Sequence, residues 1–95
     1  MAAYVIASIE VTDPDLYAEY RAQVPASIED YGGRFLVRGG ESEILEGSWQ
    51  PPRVVVLEFP DADAARRWYS SEEYRPLIGL RQRASTGHLL LVEGA

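Results

Sequence analysis

The chain has 95 residues, 46% apolar and 11% aromatic, and its 15 Asp and Glu against nine Arg give a formal net charge of −6. That length suits one small domain spanning residues 1–95, and no run approaches the roughly 20 apolar residues of a membrane span. The acidic balance without a clustered basic run argues against nucleic acid as a partner; the absence of cysteine excludes disulfides and thiolate chemistry, and the absence of lysine excludes a Schiff base.

The opening residues "MAAYVIASIEV" carry no basic leader and run straight into a strand pattern, so a cytoplasmic home is the expectation. Tyr4 to Val11 is rich in β-branched and apolar residues, as a strand covered on both faces would be. "TDPD" follows, where Asp13 suits a helix cap and Pro14 its first position. Leu16, Tyr17, Tyr20, Val24, Ile28 and Tyr31 recur at three- and four-residue intervals, predicting a helix that Pro25 bends and Gly32 ends. "RFLVR" is a second strand; Gly39 and Gly40 suggest a bulge or bend, and "SEILEG" would extend or re-enter the sheet before a turn at Gly47 to Pro52. "RVVVLEF", Arg53 to Phe59, is a strand at or near the sheet centre. Asp61 caps a second helix, a Ser70–Glu73 capping box opens a further one that Gly87 closes, and "HLLLVEG" is the last strand. The order is the ferredoxin-like βαββαβ pattern, a four-stranded antiparallel sheet with helices on one face.

Period-two alternation assigns Phe35, Val37, Val55, Leu57 and Phe59 to the helix side and Arg34, Leu36, Arg38, Val54, Val56 and Glu58 to the other. That second face is too apolar for full solvation and too charged for a closed core, so a second copy of the chain is the economical cover. With Arg34 opposite Glu58, the two arginines would be structural groups of a homodimer interface. The rival reading has the bend at Gly39 aiming Arg38 into a cleft, toward an anionic ligand.

His88 is the only histidine, which leaves no multi-histidine metal site; it could serve as a general base, although a lone histidine opening a terminal strand is more often packed or solvated. Neither a nucleophile elbow nor a Gly-x-Gly-x-x-Gly turn is present, so serine hydrolysis and dinucleotide binding lack their signals and no cofactor is expected. Tyr17, Tyr20, Trp68, Tyr69 and Tyr74 could line an aromatic pocket or simply fill the core. Glu41, Glu43 and Glu46 suit a charged strand edge.

"YGGRFLVRGG", "LEG" followed by Trp49, "RVVVLEFPDADAARRWYSSEEY" and the closing "VEG" together resemble the small bacterial family called domain of unknown function 1330, within the dimeric α/β-barrel superfamily. The resemblance implies a ferredoxin-like protomer that pairs through its sheet into a barrel, with no assigned reaction. Its motif positions fall on Gly33, Arg38, Glu46, Gly47, Trp68, Ser71 and Tyr74. Arg38, Glu46, Trp68, Ser71 and Tyr74 are therefore the ligand-binding candidates, and Tyr74 and His88 the acid–base candidates. Related barrels include cofactor-free monooxygenases, haem-degrading enzymes and muconolactone isomerase-like proteins. The haem-degrading pattern needs an asparagine, and this chain has none; a His–Asp pair would require His88 to meet Asp13 or Asp15. The expectation is a homodimer binding a small aromatic or carboxylate-bearing metabolite, with a cofactor-independent monooxygenase or isomerase, or a ligand-free structural dimer, as alternatives.

Overall fold

A computed structural model describes all 95 residues. Strand β1 (Ala3–Val11) leads into helix α1 (Pro14–Glu29); β2 (Arg34–Arg38) and β3 (Val54–Phe59) follow, then α2 (Ala62–Tyr69), α3 (Arg75–Ala84) and β4 (Ser85–Glu93). The strands form one antiparallel sheet in the order β2-β3-β1-β4, the ferredoxin-like arrangement. The molecule measures 35 × 34 × 16 Å, thick enough for one helix layer on one sheet. No helix is long and apolar enough to cross a membrane.

Alternation along β1 produces the core. Ala3, Val5, Ala7 and Ile9 are buried beneath the helices, while Tyr4, Ile6, Ser8 and Glu10 point away. Helix α1 supplies Tyr17, Tyr20, Val24, Ser27 and Ile28 to the same layer, and Asp13 starts it by accepting a hydrogen bond from the Leu16 amide at 3.1 Å. The helix continues through Pro25 to Glu29, and Gly32 takes the left-handed φ of 76° that turns the chain toward β2.

Several local expectations change. The Ser70–Glu73 box does not form: Ser70 donates to the Arg66 carbonyl, Glu73 accepts from the Tyr31 hydroxyl, and Ser71 accepts from the Tyr74 amide. Helix α3 instead starts after Tyr74 with no side-chain cap, and the Ser71 hydroxyl closes the turn that precedes it. Gly87 does not close a helix but lies within β4 opposite Ile9, where any side chain would collide with the Ser8 carbonyl. "SEILEG" joins no strand; residues 40–53 are irregular and Glu41 to Gln50 are exposed. Those residues offer no apolar alternation for a sheet edge to bury.

The largest departure is in β2. Arg34 pairs with Glu58 and Phe35 with Leu57, but Val37 then pairs with Val56 and Arg38 with Val55. Leu36 is thus an extra residue, a bulge, and it reverses the sides of everything after it. Val37 joins the outer face and Arg38 turns in beneath the helices, the opposite of what uninterrupted alternation assigns. The Arg34–Glu58 ion pair, at 2.8 Å, lies ahead of the bulge and stays on the outer face as expected.

Gly33 is a position where added volume has nowhere to go. A Cβ there would lie 2.6 Å from Phe59 Cε1 and 2.7 Å from Ile28 Cγ2. Gly33→Ala is expected to lower stability by about 1–3 kcal/mol, the usual cost of overpacking. Denaturant unfolding checks this, and a change below about 0.5 kcal/mol would contradict it.

Candidate functional site

Between the helix layer and the β2–β3 side of the sheet lies a cavity of about 40 Å³. A space of that size admits several waters or a compact solute. Apolar residues of β1 and β3 form its floor, and Tyr17, Tyr20, Trp68 and Tyr74 form much of its wall. Four arginines also reach it: Arg21, Arg38, Arg53 and Arg81. No Asp or Glu lines it, in a chain where acids outnumber arginines 15 to nine.

The arginines run from solvent to core. Arg21 and Arg38 are exposed, Arg53 is half-buried, and Arg81 is 8% exposed. Arg38, turned in by the Leu36 bulge, donates to the Arg21 carbonyl at 2.9 Å and stacks its guanidinium 4.4 Å from the Phe35 ring centre. Arg53 lies 5.7 Å from the Tyr17 ring centre, and its Nε is buried without a hydrogen-bond partner. Gly39 makes room for it: the backbone there has φ of 75°, and any Cβ would collide with the Arg53 guanidinium. Buried cations are ordinarily matched by anions, because desolvation without a counter-charge costs several kcal/mol. Here Arg81 instead donates to the Tyr74 hydroxyl at 2.7 Å, and that hydroxyl is 2.7 Å from the hydroxyl of Tyr20.

Trp68 anchors this wall. Its ring lies 4.0 Å from that of Tyr74 and 5.4 Å from that of Phe59, and its indole N–H donates to Ser27 Oγ at 3.1 Å. Ser71 donates to the Trp68 carbonyl and accepts the Tyr74 amide, so it fixes the backbone that presents Tyr74 without itself reaching the cavity. Burial pushes the Tyr20 hydroxyl well above the ordinary phenol range, and Tyr74 beside it adds to the shift. Burial also raises Tyr74, with Arg81 opposing it only in part. Burial acts against the Arg81 charge, but the neighbouring tyrosine oxygens more than offset it. Near neutral pH the inner end therefore holds two neutral phenols and one cation.

Of the residues singled out in the sequence, Arg38, Trp68 and Tyr74 converge on the cavity, as do Tyr17 and Tyr20. Ser71 stands behind Tyr74. Glu46 does not join them; it lies in the exposed segment between β2 and β3. Tyr69 is 45% exposed and packs on Trp68 from outside the cavity. His88 is exposed on the outer sheet face opposite Ser8, whereas the Asp13 carboxylate caps α1. Arg21, Arg53 and Arg81 were not singled out. For Arg81 a signal existed, since it follows Tyr74 and Leu77 at helical spacing and so breaks an apolar stripe with a charge.

Comparisons with known proteins agree with this architecture. The chain matches solved structures of a protein of unknown function from Rhodopseudomonas palustris (19% identity, 99% of this chain and 82% of that one, TM-score 0.76). A dimeric ferredoxin-like protein of unknown function from Jannaschia sp. CCS1 matches at 14% identity over 99% of this chain and all of that one (100%), with a TM-score of 0.73. SnoaB, a cofactor-independent oxygenase from Streptomyces nogalater, matches at 18% identity over 99% and 92%, with a TM-score of 0.63. At these identities the likeness is one of fold. No curated protein sequence matches the chain. Residues 2–95 match the family model for the domain of unknown function DUF1330, and the chain belongs to that family.

The buried phenols set an alkaline limit on stability. Their folded-state values lie above the ordinary 10.0, so the unfolded chain releases these protons first as pH rises. Their contribution is intact below about pH 10 and declines above it. Denaturant midpoints should fall between about pH 10 and 12, and less steeply in Tyr20→Phe. Equal slopes in the two proteins would contradict the assignment.

Proposed function

We propose, from membership of the DUF1330 family as the premise, that this chain binds a small carboxylate-bearing metabolite in the cavity between its sheet and helices. The observation that carries this is the concentration of four of the nine arginines on one cavity with no acidic residue. Gathering cations without a counter-charge is unfavourable for the empty protein, and an anion removes that cost. Arg38 and Arg53 receive the carboxylate, the first from the rim and the second through its unpartnered Nε. Trp68 and Tyr74 form the wall it packs against, and Ser71 holds Tyr74 in place. The size of the cavity favours a short acid over an extended aromatic one.

The binding unit is a homodimer joined sheet to sheet. On the outer face Ile6, Val37, Leu90 and Val92 are between 36% and 61% exposed, a large apolar surface for an isolated chain. The Arg34–Glu58 pair on the same face offers each copy both a cation and an anion for its twin. The dimeric neighbour from Jannaschia sp. supports the same reading. A second reading, chemistry without a cofactor as in an oxygenase or isomerase, is favoured by the Tyr74 hydroxyl: buried, neutral and backed by Arg81, it can hydrogen-bond to charge that develops on a bound substrate.

Two measurements test these readings. Isothermal titration with short aliphatic carboxylates should show binding that weakens about tenfold in Arg53→Gln and in Arg38→Gln, the loss of one charge-assisted hydrogen bond each. Unchanged affinity in both variants would refute the arginine site. Light scattering should give twice the 10.6 kDa chain mass, and Ile6→Asp should halve it while leaving the circular dichroism spectrum intact. A wild-type monomer at micromolar concentration would refute the dimer.

A further inference from the structure

The inner end of the cavity has more hydrogen-bond donors than acceptors. Arg81 can only donate, and it gives one N–H to the Tyr74 oxygen. The Tyr74 and Tyr20 hydroxyls bond to each other, and one proton occupies that bond whichever of them supplies it. If Tyr74 donates, the Tyr20 proton is left over; if Tyr20 donates, the Tyr74 proton is. Two phenolic protons thus share one acceptor, and neither hydroxyl makes another hydrogen bond than those with its partner and Arg81. Both rings line the cavity, and both residues are buried, Tyr20 at 8% exposure and Tyr74 at 0%. A buried O–H without an acceptor costs on the order of 1–3 kcal/mol, so the surplus proton is directed at whatever fills the cavity.

From this donor surplus we infer that the metabolite carries a second oxygen acceptor, a ketone or another carboxylate, besides the carboxylate that Arg38 and Arg53 receive, and that the Tyr20–Tyr74–Arg81 chain binds it. The inference rests on the carboxylate site proposed above and narrows the ligand class from short acids to short oxo acids or dicarboxylates. The two ends of the cavity differ in kind. At the rim, guanidinium groups select an anion by charge; at the base, neutral phenols backed by one cation reward an acceptor and leave an apolar chain end facing an unsatisfied donor. A site built to donate discriminates against ligands lacking the matching acceptor more strongly than an apolar pocket discriminates by size.

Three acids of equal carbon number separate the two ends: pentanoate, 4-oxopentanoate and glutarate, titrated into the intact protein by calorimetry with Trp68 fluorescence in a Trp49→Phe background as a second readout. At least one of the two acceptor-bearing acids should bind about tenfold more tightly than pentanoate, the scale of one net hydrogen bond. That preference should collapse toward unity in the Tyr20→Phe, Tyr74→Phe double variant. Arg53→Gln should weaken all three acids together. Should pentanoate bind as tightly as both acceptor-bearing acids, the inner-end assignment is wrong while the arginine site stands. Should a preference exist but survive the double variant, the tyrosines are not its source and the inference is likewise overturned. If none of the three binds the wild-type protein, the arginine site and the inner-end assignment fail together.

Discussion

A single extra residue in β2 decides which side of the sheet Val37 and Arg38 serve. Without the bulge at Leu36, Arg38 would stand on the outer face beside Arg34, and Val37 would fill the space beneath the helices. With it, a guanidinium reaches the cavity edge, stacks on Phe35 and meets the backbone of α1 at Arg21. The bulge also improves the outer face, because Val37 takes its place opposite Val56 and lengthens the apolar strip there. One irregularity therefore sends Arg38 to the cavity rim and Val37 to the outer face.

The cavity it serves is held open by residues that could have closed it. Trp68 and Tyr74 stack in its wall with Phe59 packed behind the indole, which is fixed by a serine that is itself bonded to the Val24 carbonyl. Ser71 ties the Trp68 carbonyl to the Tyr74 amide, so the helix-to-helix junction cannot relax without moving both rings. Aromatic side chains are stiff, with few torsions to collapse into a void, and polar groups on the wall gain nothing from burial against apolar neighbours. Arg53 shows the same logic from the β3 side, where Gly39 gives up a side chain so that a guanidinium can lie against the turn.

Much of this was legible in the chain and some was not. Element order, the caps at Asp13 and Asp61, the helix stop at Gly32 and the Arg34–Glu58 pairing all follow from local chemistry, which short stretches of sequence carry in full. The Leu36 bulge does not, because the glycine signal for irregularity sat three residues later, at Gly39, and a register slip depends on how two strands fit the helices above them. The Ser70–Glu73 spacing pointed to a cap that α3 does not use, because Glu73 is engaged by the Tyr31 hydroxyl of a distant segment. Trp68, Tyr74 and Arg38 were identifiable as residues that belong together, yet Arg53 and Arg21 sit among exposed or strand-end positions where an arginine is unremarkable. Arg81 was different: a charge placed in a helix's apolar stripe already implies something inside for it to meet.

The cavity has one further property, which follows from the kinds of side chain that build it. It contains guanidinium, phenol and hydrocarbon, and neither imidazole nor carboxylate. At its inner end burial keeps the Tyr20 and Tyr74 phenols neutral, and their oxygens help keep Arg81 a cation, throughout the range a living cell experiences. Acidification or alkalinisation of the surroundings therefore leaves the charge of this inner end constant, and an acid of the class proposed above would respond to pH only through its own titration.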